Sequence, residues 1–288
     1  MNYIKKIIKY FFQAIFILIF LLLGRIFGLK VSRKVFAFVF SKLGPFFKSK
    51  KTIEKNLEFF SKKNKVTDKR KIIQEMWENY GKTFIEYIFL PYFRKKNSFV
   101  KIDGIDNLNR VIESKKPVIF VSGHFANFEL MSMEITKKKL KLATIYRPLN
   151  NFFLNPLMEY LRKKYVCNNQ IQKGLNGVRK AIDLIKKDYS IALMIDQRVS
   201  EGERINFFDE PALTTTLPAQ ISLKFKINIM PVFIKREKNN NFTIKFYKVL
   251  KSEDFKDKLK LTKKLNSILE DMIIQNPSQW IWTHNRWK

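Results

Sequence analysis

The most apolar stretch of the chain is residues 10–24, close to the N-terminus. Gln13 interrupts it, three lysines precede it and Arg25 follows it. A helix of this length reaches about 22 Å, short of the roughly 30 Å hydrocarbon core of a bilayer. No small-residue cleavage site follows, so the pattern predicts a retained membrane anchor over residues 1–30, either a short span or a helix that dips into one leaflet. The alternative, a buried helix of a soluble core, is disfavoured by the lack of a polar face.

A change of periodicity near residue 98 divides the rest of the chain. Residues 31–97 carry helical patterns that fit a membrane-proximal segment, including a long pattern within 65–96 that Pro91 ends. Residues 98–288 alternate between strand-like and helical runs. This alternation predicts an α/β domain with a mainly parallel central sheet flanked by helices.

The same patterns predict the individual elements of this domain. The predicted strands are 117–122, 141–146, 190–195, 227–235 and 241–249, with the last two forming a hairpin joined by Lys238 and asparagines 239–241. The predicted helices follow the first strand to about residue 138, lie near 153–165, and cover 175–188, 214–226 and 254–275.

The net charge of the chain limits the classes of binding partner that it suits. Lys and Arg total 56 against 25 Asp and Glu, a net charge of +31, while 46% hydrophobic residues exclude a disordered polyelectrolyte. A basic chain suits nucleic acid, an anionic membrane or an acidic protein, although solvated basic faces without a single partner also fit. No nucleic-acid module accompanies the basic runs, so no nucleic-acid partner is expected. The positive-inside rule puts the basic body in the cytoplasm.

Candidate chemistry concentrates where the strand at 117–122 ends. His124 follows this strand at once, and Glu129 lies in the helix beyond it. Ligands of open α/β sheets bind at the carboxyl ends of strands, and Glu129 can reach back to fix the imidazole tautomer of a general base. The alternative is a histidine that merely caps the helix. No G-x-S-x-G elbow is present, so the pair would activate a hydroxyl of the substrate itself.

Metal and disulfide chemistry are not expected. Cys167 is the single cysteine, which excludes a disulfide scaffold and a cysteine-based zinc site. His124 and His284 are the two histidines, too few for a multi-histidine metal site. We therefore expect no metal and no cofactor.

Five motifs resemble the lipid A biosynthesis lauroyl/myristoyl acyltransferase family of the lysophospholipid acyltransferase superfamily. The resemblance runs from the N-terminal anchor to the last residues and therefore covers nearly the whole chain. The matching positions are His124 to Glu129 (an H-x4-D/E motif); Tyr146-Arg147-Pro148 with Asn150; Ile195-Asp196-Gln197; Phe207-Phe208 with Thr214-Thr215-Thr216; and residues 277–286, PSQWIWTHNR.

The resemblance implies a glycerolipid-acyltransferase-like fold and an acyl transfer. A fatty acyl chain would pass from acyl carrier protein to a hydroxyl of a lipid A precursor, a phosphorylated glycolipid, at the cytoplasmic face of the bacterial inner membrane. It implies no metal and no covalent acyl-enzyme. The residues it assigns are His124 and Glu129 as catalytic, and Arg147, Asn150, Asp196, Gln197, Thr214 and Thr215 as substrate-binding.

Several alternatives stay open from the sequence. Arg147 follows a strand, where it would hold a phosphate or form a surface ion pair. Asp196 and Thr214 to Thr216 also fit turn and helix-capping roles, and the C-terminal tryptophans fit packing or interfacial contacts. The donor could be coenzyme A, and the acceptor a lysophospholipid, an aminolipid or another glycolipid. The rival from another class is a basic membrane-binding protein without catalysis.

Overall fold

A computed structural model of the chain describes residues 3–65 and 68–288. Its strands are β1 (Val100–Asp103), β2 (Ile119–Ser122), β3 (Leu142–Tyr146), β4 (Asn169–Gln172), β5 (Ser190–Met194), β6 (Glu203–Phe207), β7 (Glu210–Thr214), β8 (Ile229–Arg236) and β9 (Phe242–Phe246). Its α-helices are α1 (Tyr3–Phe47), α2 (Lys50–Lys63), α3 (Lys69–Glu86), α4 (Leu90–Lys95), α5 (Ile105–Ser114), α6 (Glu129–Lys137), α7 (Asn155–Tyr165), α8 (Leu175–Ile185), α9 (Leu217–Phe225) and α10 (Lys258–Gln275).

One sheet organises the domain, with strand order β1-β9-β8-β2-β5-β3-β4. The strands from β8 to β4 are parallel, whereas β9 is antiparallel to β8 and parallel to β1. The predicted α/β fold with a mainly parallel central sheet is therefore confirmed, as is the predicted hairpin of β8 and β9. A separate antiparallel hairpin, β6 and β7, lies outside this sheet.

Side chains of the central strands alternate between the two faces of the sheet. On β2, Ile119 and Val121 join a core with α10, whereas Phe120 joins a second core with α5 and α6. All of these β2 side chains are buried, as expected for a parallel strand covered on both faces. The two covered faces hold the carboxyl ends of the central strands in fixed positions.

Helix α1 extends well beyond the predicted anchor. It runs across residue 30 to Phe47 and breaks at Gly28, whose positive φ of 75° interrupts the helical backbone. Of the described helices, α1 is the one long and apolar enough to cross a membrane. The division of the chain into an anchor over 1–30, a helical segment over 31–97 and a domain over 98–288 stays a prediction.

Helices α1 and α3 approach closely where glycines remove side chains. A Cβ atom on Gly81 of α3 would lie 2.2 Å from the Phe36 carbonyl oxygen of α1. A Cβ atom on Gly44 of α1 would lie 2.3 Å from the Trp77 ring of α3. The contact matters for the site because both helices line the cavity described below.

Replacing Gly81 by alanine is expected to destabilise the α1–α3 contact. The helix propensity of alanine favours the variant by about 1 kcal/mol, but a clash with a backbone oxygen forces the helices apart, and such overpacking costs about 1–3 kcal/mol. Thermal unfolding in detergent should therefore show a lower midpoint than wild type. Gln74→Ala, at an exposed position of the same helix, is the matched control; equal midpoints for both variants would contradict the packing argument.

The elements differ from the predicted ones at several places. β1 and α5, at the start of the α/β domain, were not predicted. Pro91 does not end a helix but lies in the first turn of α4, where its missing N–H costs nothing. The strand β4 and the hairpin β6–β7 were not predicted, because these short strands carry many polar residues. Thr214 ends β7 instead of opening a helix, and α9 begins three residues later at Leu217.

Candidate active site

The register of two neighbouring strands brings His124 and Asp196 together. β2 and β5 pair in parallel, with Ser122 opposite Met194. His124 lies two residues beyond Ser122, and Asp196 lies two residues beyond Met194. Equal offsets beyond a parallel pair put both side chains at the same edge of the sheet, the edge at which open α/β sheets bind ligands.

Asp196 holds His124 through both its side chain and its backbone. The imidazole Nδ1 lies 2.8 Å from Asp196 Oδ1, and the His124 backbone N–H donates to Oδ2 over 2.7 Å. The indole N–H of Trp280 donates to the same Oδ2 over 2.8 Å. A carboxylate only accepts hydrogen bonds, so Nδ1 carries the proton and Nε2 is left as the basic nitrogen.

His124 and Asp196 each shift the pKa of the other. Asp196 is fully buried, whereas the His124 side chain is 20% exposed. Burial opposes the charge on Asp196, but His124 and the hydrogen bonds overcome it and lower the pKa of Asp196 to about 2. Burial likewise disfavours imidazolium, yet the Asp196 carboxylate outweighs it and raises the pKa of His124. A raised pKa makes Nε2 a stronger proton acceptor.

Glu129 does not hold the imidazole, contrary to the sequence-based expectation. Its carboxylate accepts hydrogen bonds from Arg162 Nε over 2.7 Å and from the Tyr87 hydroxyl over 2.7 Å. Among the described residues, the hydrogen bonds of the His124 side chain go to Asp196. The physical reason is placement: Glu129 begins α6 and contacts Arg162 of α7, while Asp196 follows β5, the strand that pairs with the β2 strand before His124.

The Glu129–Arg162–Tyr87 cluster is largely buried beside the histidine. The side chains of Glu129 and Arg162 are about nine-tenths buried. Burial works against the guanidinium charge, but Glu129 outweighs it and raises the pKa of Arg162. Burial together with Glu129 raises the pKa of Tyr87. Arg162 therefore carries a fixed positive charge close to His124.

A cavity of about 510 Å³ opens beside His124. Its walls come from α1, α3, α7 and the loops at the sheet edge, and most of the lining is apolar. His124, Tyr87 and Arg162 are polar groups at its surface. The apolar lining residues include Ile17, Leu21, Phe40, Met76, Phe84, Phe128, Leu154, Leu157 and Met158. Such a cavity, apolar with few convergent polar groups, suits a hydrocarbon chain with one reactive polar end.

A buried ion cluster supports the loop that carries His124. Glu86 pairs with Arg33 over 2.6 Å and also with Arg236. The Asn127 amide donates to Glu86 over 3.0 Å, and this residue lies three positions after His124. The cluster ties α1, α3 and β8 to the loop, so the position of His124 depends on several elements at once.

The other predicted binding residues are divided between the cavity and the outside. Asn150 and Gln197 line the cavity with His124. Arg147 follows β3, where it is exposed and contacts Asn150 over 3.5 Å, outside the cavity lining.

Thr214 and Thr215 have structural partners. Thr214 is buried and its hydroxyl accepts from Arg286 over 2.7 Å. The Thr215 hydroxyl accepts from the Leu217 backbone N–H over 3.3 Å, at the start of α9. Neither lines the cavity, and their assignment to substrate binding stays a prediction.

Sequence reasoning missed three residues of the site. Trp280 was expected in packing or interfacial contacts, and its hydrogen bond to Asp196 joins residues 84 positions apart. Arg162 and Tyr87 lie in helical segments that the sequence marks only by apolar and basic periodicity. A buried arginine inside a run of exposed basic residues gives no local signal; only its ion pair with Glu129 distinguishes it.

The chain is similar to bacterial enzymes of lipid A biosynthesis along nearly its whole length. The family described as bacterial lipid A biosynthesis acyltransferase matches residues 5–288. The lipid A biosynthesis palmitoleoyltransferase of Escherichia coli (strain K12) is 25% identical over 266 residues, which cover 88% of this chain and 85% of that enzyme. The lauroyltransferase of the same organism is 23% identical over 250 residues, 83% of this chain and 78% of that enzyme.

One solved structure that aligns with the chain is the 1-acyl-sn-glycerophosphate acyltransferase PlsC from Thermotoga maritima. It aligns with a TM-score of 0.43 and 13% identity, over 86% of this chain and 98% of that one.

Proposed function

We propose a reaction mechanism for this chain on the basis of its family: the chain belongs to the bacterial lipid A biosynthesis acyltransferase family. The resemblance found in the motifs is confirmed, and the chain is an acyltransferase. The names of its relatives support a lipid A precursor as the acceptor. The proposal concerns the chemistry of the transfer, the donor and the attachment to a membrane.

In the proposed reaction His124 is the general base. Nε2 takes the proton from the acceptor hydroxyl as its oxygen attacks the thioester carbonyl of the donor. The tetrahedral intermediate collapses with loss of the thiolate, which receives the proton from the imidazolium. The products are an ester on the acceptor and a free thiol, and no acyl-enzyme forms. Asp196 stabilises the imidazolium and, in the neutral ring, holds the proton on Nδ1 so that Nε2 is the nitrogen that accepts.

Arg162 supplies positive charge to the developing oxyanion in this proposal. Its side chain lines the cavity next to His124, and Glu129 and Tyr87 hold it through hydrogen bonds. A cation fixed in a partly dry site stabilises new negative charge without reorganising. Glu129 then acts as a positioning residue for Arg162, which accounts for an acidic residue at this place in the motif.

The acyl chain of the donor would occupy the apolar cavity between α1, α3 and α7. The donor is an acyl thioester, and acyl carrier protein is the one we propose over coenzyme A. The net charge of +31 supports this choice, because a basic surface attracts an acidic carrier as well as lipid phosphates. The apolar helix α1 supports attachment to the inner membrane, with the basic body in the cytoplasm.

The observation that carries the proposal is the His124–Asp196 pair at the end of an apolar cavity. The test is a lipid mass spectrum from a bacterial host that lacks its late lipid A acyltransferases. Cells with the wild-type protein should contain a lipid A species heavier by one acyl group. Cells with equally expressed His124→Ala should not.

Three other results would change the proposal. An acyl gain on phospholipids or aminolipids, with lipid A unchanged, would replace the acceptor and keep the chemistry. The absence of any lipid change with well-expressed wild type would overturn the reaction in this host. An equal gain from wild type and His124→Ala would remove His124 from the mechanism.

A further inference from the structure

The first half of α1 contacts the catalytic body at both of its ends. Near the N-terminus, the Asn151 side-chain amide donates to the Tyr10 carbonyl oxygen over 2.8 Å, and the Phe152 ring meets the Tyr10 ring at 5.8 Å. Near the break, the Arg25 guanidinium donates to the Ile88 carbonyl oxygen over 3.2 Å. Fifteen residues separate Tyr10 from Arg25, about 22 Å of helix.

We propose that α1 does not cross the bilayer but lies along one leaflet, with the catalytic body on the same side of the membrane as both ends of the helix. This inference rests on the proposed attachment to a membrane. It resolves the two alternatives, a short span or a helix that dips into one leaflet, that the apolar stretch by itself leaves open.

A spanning helix would carry polar parts of the body into the hydrocarbon. With Arg25 at one interface, Tyr10 would lie about 22 Å deep in a core roughly 30 Å thick, past the midplane. Asn151 donates its hydrogen bond to Tyr10 at that depth. Asn150, the preceding residue, is exposed, and the exposed Arg147 contacts it. A charged side chain at the bilayer centre is costly to insert, and unsatisfied polar groups add to that cost.

The exposed apolar surface continues past the break into the second half of the helix. In the first half, Ile8, Phe12 and Phe16 are exposed; in the second, Val35 and Phe38 are. If only the first half of α1 spanned the bilayer, the exposed apolar side chains of the second half would lie in water. A helix lying along one leaflet buries the exposed apolar side chains of both halves in the same acyl layer, as amphipathic interfacial helices do.

Positive charge lies beside the break, at the level expected for lipid phosphates. A groove of about 670 Å³ is lined there by Arg25, Lys30, Lys34 and Lys95. An anionic leaflet attracts cationic side chains close to its surface, so this groove complements such a leaflet.

The orientation also affects how substrates reach the site. Ile17 and Leu21 of α1 line the cavity next to His124. With α1 lying in the leaflet, the cavity borders the acyl layer along the helix. A lipid acceptor then reaches His124 from the leaflet without leaving the membrane.

Labelling of single cysteines from either side of the membrane tests the orientation. In a Cys167→Ser background, Lys5→Cys reports the N-terminal end of α1 and Leu175→Cys, at an 83% exposed position, reports the body. A membrane-impermeant maleimide is applied to spheroplasts and to inside-out vesicles. Both cysteines should react in inside-out vesicles and neither in intact spheroplasts. Reaction of Lys5→Cys in spheroplasts with Leu175→Cys protected would overturn the proposal.

If lipid shields Lys5→Cys from the maleimide, a measurement of depth in the bilayer decides between the two orientations. A bimane fluorophore on Phe38→Cys, in the second half of α1, should be quenched by nitroxide-labelled acyl chains, and one on Leu175→Cys should not. A spanning first half puts residue 38 in water, so an unquenched Phe38→Cys would contradict the proposal. Neither measurement uses activity, so both are independent of the lipid mass spectrum. A protein recovered only in the soluble fraction would refute the proposed membrane attachment itself.

Discussion

The His124→Ala variant should lose acyl transfer by roughly 100- to 10,000-fold in kcat, the range over which a positioned general base accelerates proton transfer. The alanine leaves Asp196 without its imidazole partner and the acceptor hydroxyl without a base. The residual rate would come from binding both substrates in one cavity and from the charge of Arg162. The measurement is the initial rate of transfer from an acyl thioester to a lipid A precursor by purified protein in detergent.

Folding must be separated from chemistry in this variant. The alanine leaves the buried Asp196 carboxylate without its imidazole partner, so the unfolding midpoint should fall, and the rates are compared at a temperature at which both proteins are folded. The matched control is His284→Gln, because His284 lies outside the cavity lining and its Nε2 only accepts from the Arg198 backbone N–H. The control should retain activity within an order of magnitude. A folded His124→Ala protein with wild-type kcat would refute the base assignment.

The second large effect is expected for Asp196→Asn, again roughly 100- to 10,000-fold in kcat, as for tautomer-breaking changes at catalytic histidines. The two carboxylate oxygens accept three hydrogen bonds, from His124 Nδ1, the His124 backbone N–H and Trp280. Asparagine has one acceptor oxygen. Whenever that oxygen keeps the backbone and indole donors, its NH₂ group faces Nδ1. The imidazole then carries its proton on Nε2, where it cannot act as a base.

The pH dependence of kcat in Asp196→Asn should change in a definite direction. The base must be neutral, so activity rises with pH through the pKa of His124. Asp196 raises that pKa despite the opposing effect of burial. Removing the carboxylate charge should therefore move the acid limb of the kcat profile to lower pH, in addition to lowering the plateau.

Glu129→Gln distinguishes the two carboxylates. The charge of Glu129 also raises the pKa of His124, but by less than the charge of Asp196 does. The acid limb of the kcat profile should therefore move less in Glu129→Gln than in Asp196→Asn. An acid limb that moves further in Glu129→Gln than in Asp196→Asn would make Glu129 the orienting group. Asp209→Asn, at an exposed position of the β6–β7 turn, is the matched control for the aspartate change and should behave like wild type. Circular dichroism is the check that each variant is folded.

The sequence by itself determined the class of the protein. Strand and helix periodicities gave the α/β domain and the central strands, because fully buried parallel strands are short apolar runs. The motif around His124 located the proposed base, since a polar residue directly after a buried strand lies at the sheet edge. Net charge and the apolar N-terminal stretch indicated a basic protein with a membrane anchor.

Only the tertiary structure decided which carboxylate serves His124. Glu129 is five residues away in sequence, and Asp196 is 72. Sequence reasoning favours the near group, but β2 and β5 are neighbours in the sheet although β3, β4 and several helices separate them along the chain. Hydrogen bonds depend on distances of about 3 Å in space. Strand order, which no local pattern encodes, set those distances, and it also set the contact of α1 with the Asn151 loop.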